Sequence, residues 1–292
     1  MAAASMAAPE PGTPAAANPG SRNSGSPEPG SPNPGTPSSG TLFRGVGVAL
    51  VTLFDASGEV DAVSTGKLAA GLAGRGMAAV LVNGTTGEAG TLTGAERTAL
   101  IEAVRAAVPD PVPVIAGTGA PSLRQADALT RAAVTAGADA VLTWCPPRCG
   151  DLAGYFAAIG EAAAGRPVLA YHNPFIACAD IPVDALAGLP VSGVKDSSGS
   201  PDRLLDELAR YPGDTFAGSA GYLALAGPMG AAGALLALAN LAPEACVRAW
   251  GGDAAAQRGL AAQHLAVRAG GPAQLKRMLA GADGTSPVAR IC

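Results

Sequence analysis

AAVLVNG (78–84), LTGAERTALIEAVRAAV (92–108) and VPVIAG (112–117) have the pattern of one strand–helix–strand unit. The two outer runs are short and apolar on both alternating faces, as strands buried on both sides must be. The middle stretch spaces Leu, Ile, Val and Ala at helical intervals among Glu and Arg, which makes it an amphipathic helix. Two parallel strands joined by a crossover helix follow from this order. The alternation continues in both directions. Further apolar runs are GVGVALVTLF (45–54), DAVLTW (139–144), PVLAYH (167–172), VSGVKD (191–196), TFAGS (215–219) and AAGALLA (231–237), with SLRQADALTRAAVTAG (122–137) as another helix. A doubly wound open sheet would use the same units. Eight of them, at intervals of about 25–35 residues, favour a closed (β/α)8 TIM barrel. Residues 243–292 exceed what eight units need and predict a helical C-terminal extension.

The chain has 292 residues, 48% hydrophobic and 14% charged, enough for one large core. Residues 1–42 differ from the rest. They are rich in Pro, Gly, Ser and Ala and cannot bury enough apolar area to offset ordering, so a disordered tail is expected ahead of a barrel over 43–292. The net charge of -4 and the absence of a basic stripe argue against nucleic acid and anionic membrane as partners. No run of about 18 apolar residues reads as a membrane span, and no secretory leader is expected. Five cysteines without framework spacing fit a reducing compartment, so the expected location is cytoplasmic.

In such barrels chemistry sits where strands end. The strand ends offer Thr85, Thr86 and Glu88, then Tyr171 and His172, then Lys195 and Asp196. The chain has three lysines: Lys67, Lys195 and Lys276. Lys67 and Lys276 lie in polar helical contexts that suit solvated side chains. Lys195 ends an apolar strand, where desolvation favours a neutral amine, a carbonyl nucleophile. A strand-end lysine paired with Asp196 or another carboxylate fits the same residues. Tyr171 could shuttle protons, or simply line the barrel rim. Gly84-Thr85-Thr86-Gly87-Glu88 groups hydroxyls and backbone N–H groups on a tight turn, a plausible carboxylate cradle. It lacks the Gly-Lys-Ser/Thr ending of a phosphate loop, and Gly117-Thr118-Gly119 lacks the third glycine of a dinucleotide fingerprint. The two histidines, His172 and His264, and the Cys145–Cys149 spacing match no zinc pattern, so no metal is expected.

TLFDASGEVD (52–61), NGTTGEAGTLTGAER (83–97), VIAGTGAPS (114–122), AYHNP (170–174), GVKDSSG (193–199) and GAAGALLALANLAPE (230–244) occur in order. With these motifs the chain from 43 to 292 resembles the dihydrodipicolinate synthase / N-acetylneuraminate lyase family of class I aldolases. The resemblance implies a pyruvate-dependent carbon–carbon lyase without cofactor. It implies an imine with pyruvate at Lys195, and proton relay by Tyr171 with help from Thr86. Thr85, Thr86 and Gly84 would hold the pyruvate carboxylate. Gly193, Gly218 and Ala239 match further strand-end positions around the substrate. Small-molecule substrates, pyruvate or another 2-keto acid and an aldehyde, and a homo-oligomer, dimer or tetramer, are implied.

The departures bear on the aldehyde. The family's relay tyrosine after strand 4 is replaced here by Arg148, in WCPPR (144–148). The arginine that would bind an aldehyde's carboxylate is replaced by Ile176, and Pro121 stands where the lysine feedback site has a polar residue. The acidic and hydroxyl grips of the sialic acid lyases are mostly missing after strand 7 and in strand 8. An aldehyde without a distal carboxylate is therefore expected, in a pocket shared by Phe175, Ile176 and Arg148. Dihydrodipicolinate synthesis is the alternative activity, and a ligand-binding barrel with impaired catalysis is the alternative class.

Overall fold

The computed structural model describes residues 40–175 and 180–291. The barrel is closed, with β1 (Gly45–Ala49), β2 (Val80–Val82), β3 (Val114–Gly117), β4 (Ala140–Thr143), β5 (Val168–His172), β6 (Gly193–Asp196), β7 (Asp214–Ala217) and β8 (Gly233–Leu236) in chain order and all pairs parallel. Each strand falls inside one of the apolar runs except β7, which begins one residue earlier, at Asp214. Inward side chains fill the barrel: Leu81, Ile115, Leu142, Leu169, Phe216 and Leu235 form one buried cluster with Phe43 and Tyr171. Outward ones, such as Val80, Val114, Val141 and Val194, pack with the surrounding helices in the larger cluster. Both faces of every strand are thus apolar because both are covered.

The long helices form where helical spacing is clearest. Helix α1 is Ala62–Gly74, α2 Gly94–Ala107, α3 Leu123–Thr135, α4 Leu152–Ala162 and α6 Pro201–Arg210; α5 (Val183–Leu186) and α7 (Leu223–Ala226) are single turns. Thr93 and Glu96 form a reciprocal capping box at the start of α2, as Thr-x-x-Glu ahead of an apolar run should. The tail assigned from composition ends earlier than residue 42. Thr41 donates to Asp214 at 3.3 Å, and Leu42 packs against the barrel interior just before Phe43, which stacks on Phe216 at 4.8 Å. These three residues plug the N-terminal end of the barrel; residues 1–39 lie outside the described residues.

The expected extension is α8 (Pro243–Trp250) and α9 (Ala254–Asp283), the latter kinked at Gly271 and Pro272. Lys276 on α9 corrects the sequence reading. Its polar neighbours suggest solvent, yet the side chain is fully buried and pairs with equally buried Glu88 at 2.5 Å. Its Nζ also donates to the Val288 carbonyl at 2.9 Å and lies 4.0 Å from the Phe54 ring centroid. The second oxygen of Glu88 accepts backbone N–H groups of Arg290 and Ile291, both at 2.8 Å. Arg290 reaches on to Glu96 at 2.6 Å and holds that carboxyl down at about 2. The last described residues therefore form a strap that docks on the Glu88 turn.

A buried ion pair recovers its desolvation cost only while both partners remain. Glu88→Gln or Lys276→Met alone should destabilise the protein by about 3–5 kcal/mol, because one buried charge is left unpaired. The double variant should lose clearly less than the sum. Urea unfolding of the four proteins checks this, and strictly additive losses would show that the pair is not coupled.

Candidate active site

The register between β5 and β6 sets Tyr171 directly beside Lys195 and His172 beside Asp196. Side chains alternate along a strand, so one pair faces the barrel interior and the other faces the helices. Lys195 is 5% exposed, and its Nζ lies 4.6 Å from the centroid of the Tyr171 ring. Two residues further on, on the same faces, come Asn173 and Ser197. Asn173 donates to the Tyr171 hydroxyl at 2.8 Å. Burial raises the Tyr171 phenol, but the positive charge of Lys195 and the side chains of Asn173, Ser197 and Thr85 outweigh it and set the group below its ordinary value. A phenol tuned this way gives and takes a proton more readily near neutrality.

The Gly84–Glu88 turn supplies the facing wall. Gly87 donates to the Gly84 carbonyl at 3.1 Å, and Thr52 donates to the Gly87 carbonyl at 2.7 Å. Glu88 closes the turn with a left-handed backbone (φ 55°), which the buried pair with Lys276 holds in place. Thr85 and Thr86 then line one cavity of about 460 Å³ together with Lys195, Tyr171, Asn173 and Ser197. Of the two threonines it is Thr85 whose side chain reaches the Tyr171 phenol. A second cavity of about 640 Å³ also opens on Lys195, Tyr171 and Thr85, and includes Gly84, Trp144 and Ile291 of the strap.

The remaining sequence candidates divide. Gly218 lines the first cavity at the end of β7, and a Cβ there would meet Ser197 Oγ at 2.0 Å, so only glycine lets this wall pass. Gly193 is buried below the lysine, where a Cβ would meet the Asp214 carbonyl at 2.6 Å. Ala239 is buried in the core and lines neither cavity. Its neighbour Asn240 does the local work: it accepts from Val51 N–H at 3.1 Å and donates to the Ala49 carbonyl at 2.7 Å, tying the end of β1 to the β8 loop. Arg148 is exposed with a left-handed backbone and lines neither cavity. Trp144, from the same segment, takes the wall position instead, packed where a Cβ on Gly119 would fall. Ile176 lies outside the described residues. Sequence reading also passed over His264 and Arg268, which reach the first cavity from α9. Their spacing of four residues on one helix face was the available signal.

The outward face of β6 is anchored by charge. Asp196 is fully buried and accepts Ser198 N–H at 2.8 Å and Ser198 Oγ at 2.9 Å. The Nε of Arg203 on α6 lies 3.6 Å from Asp196 and 2.9 Å from Glu207. Two carboxyls thus share one guanidinium. Burial first, and the charge of Asp196 second, push Glu207 up from 4.5 to about 8. The folded protein therefore holds a proton on Glu207 that the unfolded chain releases above pH 4.5, and that group costs stability as pH rises through this window. Glu207→Gln removes the cost. The variant should gain melting temperature relative to the parent as pH goes from about 5 to about 8.5, and parallel curves would contradict the shift.

The dihydrodipicolinate synthetase family model matches residues 42–264, three quarters of the chain. A 4-hydroxy-tetrahydrodipicolinate synthase from Pseudomonas aeruginosa is 36% identical over 233 residues, covering 75% of this chain and 80% of its own. One from a Synechococcus strain is 45% identical over 130 residues, 43% of each chain. The crystal structure of the chloride-inhibited dihydrodipicolinate synthase from Acinetobacter baumannii, complexed with pyruvate, superposes with a TM-score of 0.77 at 27% identity, covering 85% of this chain and 94% of that one. The closed barrel with its motif-bearing strand ends and the match over most of its length agree: the chain belongs to the dihydrodipicolinate synthetase family.

Proposed function

We propose that the protein is a class I, pyruvate-dependent aldolase or lyase in which Lys195 forms an imine with the keto acid. The observation that carries this reading is the pairing of Lys195 with Tyr171 in a buried cavity that also holds Thr85 and Thr86. The amine of Lys195, once it has given up its proton, adds to the C2 carbonyl, the oxygen takes a proton, and loss of water leaves the imine. Its protonated nitrogen draws electrons from C3, so loss of a methyl proton gives an enamine. The enamine adds to an aldehyde carbon, and hydrolysis releases a 4-hydroxy-2-keto acid and the free lysine. Run backwards, the same steps cleave that acid. Tyr171 is the group that moves protons at C2 and C3, linked through Thr85. The Thr86 hydroxyl and the turn's backbone N–H groups hold the carboxylate, which presents C2 to the amine and lowers the entropic part of the barrier.

A second reading is 4-hydroxy-tetrahydrodipicolinate synthesis itself, favoured by the name of the P. aeruginosa relative matched over most of its length. Efficient condensation of pyruvate with aspartate semialdehyde would select it.

Reduction with borohydride in the presence of pyruvate should convert the imine to a stable secondary amine, and peptide mass mapping should place the added mass on Lys195. Lys195→Ala should abolish labelling and turnover. Tyr171→Phe should still label, slowly, while kcat falls by roughly 10²–10⁴-fold. Labelling on Lys67 or Lys276, or none at saturating pyruvate, would end the class I reading. Labelling without turnover of any aldehyde would favour a ligand-binding barrel.

A further inference from the structure

The first cavity is not confined to Lys195 and the threonine turn. It is also lined by Ser197 and Ser198 after β6, by Ser219 after β7, and by His264 and Arg268 of α9. Among the described residues no aspartate or glutamate lines it, while Lys195 and Arg268 both do. A cavity with hydroxyls, two basic side chains and no carboxylate is complementary to an anion. One carboxylate, that of the keto acid, belongs at the threonine turn. Arg268 comes from α9 and not from the turn, and supplies a separate positive charge for a second acidic group.

Arg268 is exposed to solvent where it lines the cavity. Among the described residues it makes no ion pair, whereas Arg75, Arg131 and Arg210 each engage a carboxylate. Its guanidinium lies 5.8 Å from the Phe175 ring centroid. It also stands 3.9 Å from where a Cβ on Gly199 would fall, and Gly199 has a φ of +75°, which favours glycine. At that distance a side chain would only touch Arg268. Gly221 gives closer clearance to His264, whose Nε2 lies 3.2 Å from the corresponding Cβ position. Helix α9 is kinked at Gly271 and Pro272, and His264 and Arg268 before the kink and Leu275 after it all line the cavity. Burial first, and the charge of Arg268 second, lower the His264 imidazole, which favours its neutral form. A neutral imidazole has one donor and one acceptor, which suits a hydroxyl. The anion-binding role falls to Arg268, whose planar fork matches a carboxylate or phosphate.

We infer that Arg268, with the serine and His264 wall beside it, forms the second-substrate subsite, and that the aldehyde taken there carries a terminal acidic group, carboxylate or phosphate. This inference rests on the class I reading of Lys195. It moves the counter-charge from the segment after β5, where sequence reasoning looked for it, to α9. It also replaces the expectation of an aldehyde without a distal carboxylate.

The test compares kcat/KM with pyruvate for two matched pairs: succinic semialdehyde against butanal, and glyceraldehyde 3-phosphate against glyceraldehyde. At least one acidic member should be preferred by about 10-fold or more, and the pair that shows it identifies carboxylate or phosphate as the group bound. Arg268→Ala should shrink that preference by roughly 10–100-fold, the size of a lost charge-assisted contact. Arg268→Lys should restore part of it, and Arg258→Ala, on α9 but away from the cavity, should keep it. A second readout needs no turnover. On the borohydride-reduced pyruvate adduct, butyrate or propyl phosphate should bind about 10-fold or more tighter than butanol, and Arg268→Ala should remove the difference. Charge-blind selection and binding, or a preference indifferent to Arg268, would overturn the inference while leaving the lysine reading intact. Absence of pyruvate labelling at Lys195 would sink the underlying reading instead.

Discussion

Closing eight parallel strands into one ring leaves no freedom in which side chains face inward. Once Leu169 pairs with Gly193, the next inward pair is Tyr171 with Lys195. Alternation also sends Asp196 outward to Arg203, where its charge is met by α6 rather than by the lysine. The reading of Lys195 as an ion-pair partner of Asp196 is thus excluded by strand geometry. The lysine is left in a buried cavity beside a phenol and hydroxyls, with apolar Leu235 in the same lining. A one-residue slip of β6 would exchange the two faces and dismantle the site.

The threonine turn depends on a different kind of contact. Glu88 follows Thr85 and Thr86, and its carboxylate ties the turn to α9 through Lys276 and to the strap through Arg290 and Ile291. This burial of opposite charges is of doubtful value for net stability, because desolvation offsets most of the attraction. Its use is positional: a buried pair admits few geometries, so the cradle is held in one place. The same strap brings Ile291 to the wall of the second cavity, so the extension beyond the eighth unit takes part in building the active-site surroundings.

The barrel was legible because each strand is buried on both faces and each long helix on one, and both conditions write themselves into adjacent residues. Lys195, Tyr171 and the Gly-Thr-Thr-Gly-Glu turn were legible as strand-end residues, and the structure brings them to one cavity. What local reading missed depends on partners distant in the chain. Lys276 sits among Gln274 and Arg277 and looks solvated, but Glu88 buries it. Arg148 occupies a suggestive sequence position, yet a left-handed backbone leaves it exposed and gives the wall to Trp144. Thr41 and Leu42 directly follow the tail's Pro/Gly/Ser run and still pack, because the barrel's lower end needs a plug. Arg268 belongs to an element whose placement no motif announces.

In the proposed function the decisive chemical event is removal of a proton from the methyl group of pyruvate bound at Lys195. Proton NMR of pyruvate in D2O with no aldehyde present observes that event directly. The methyl signal should disappear with the intact protein at a rate proportional to its concentration, and should persist with Lys195→Ala. A methyl signal that survives with the intact protein, or exchange that continues without Lys195, would contradict the account.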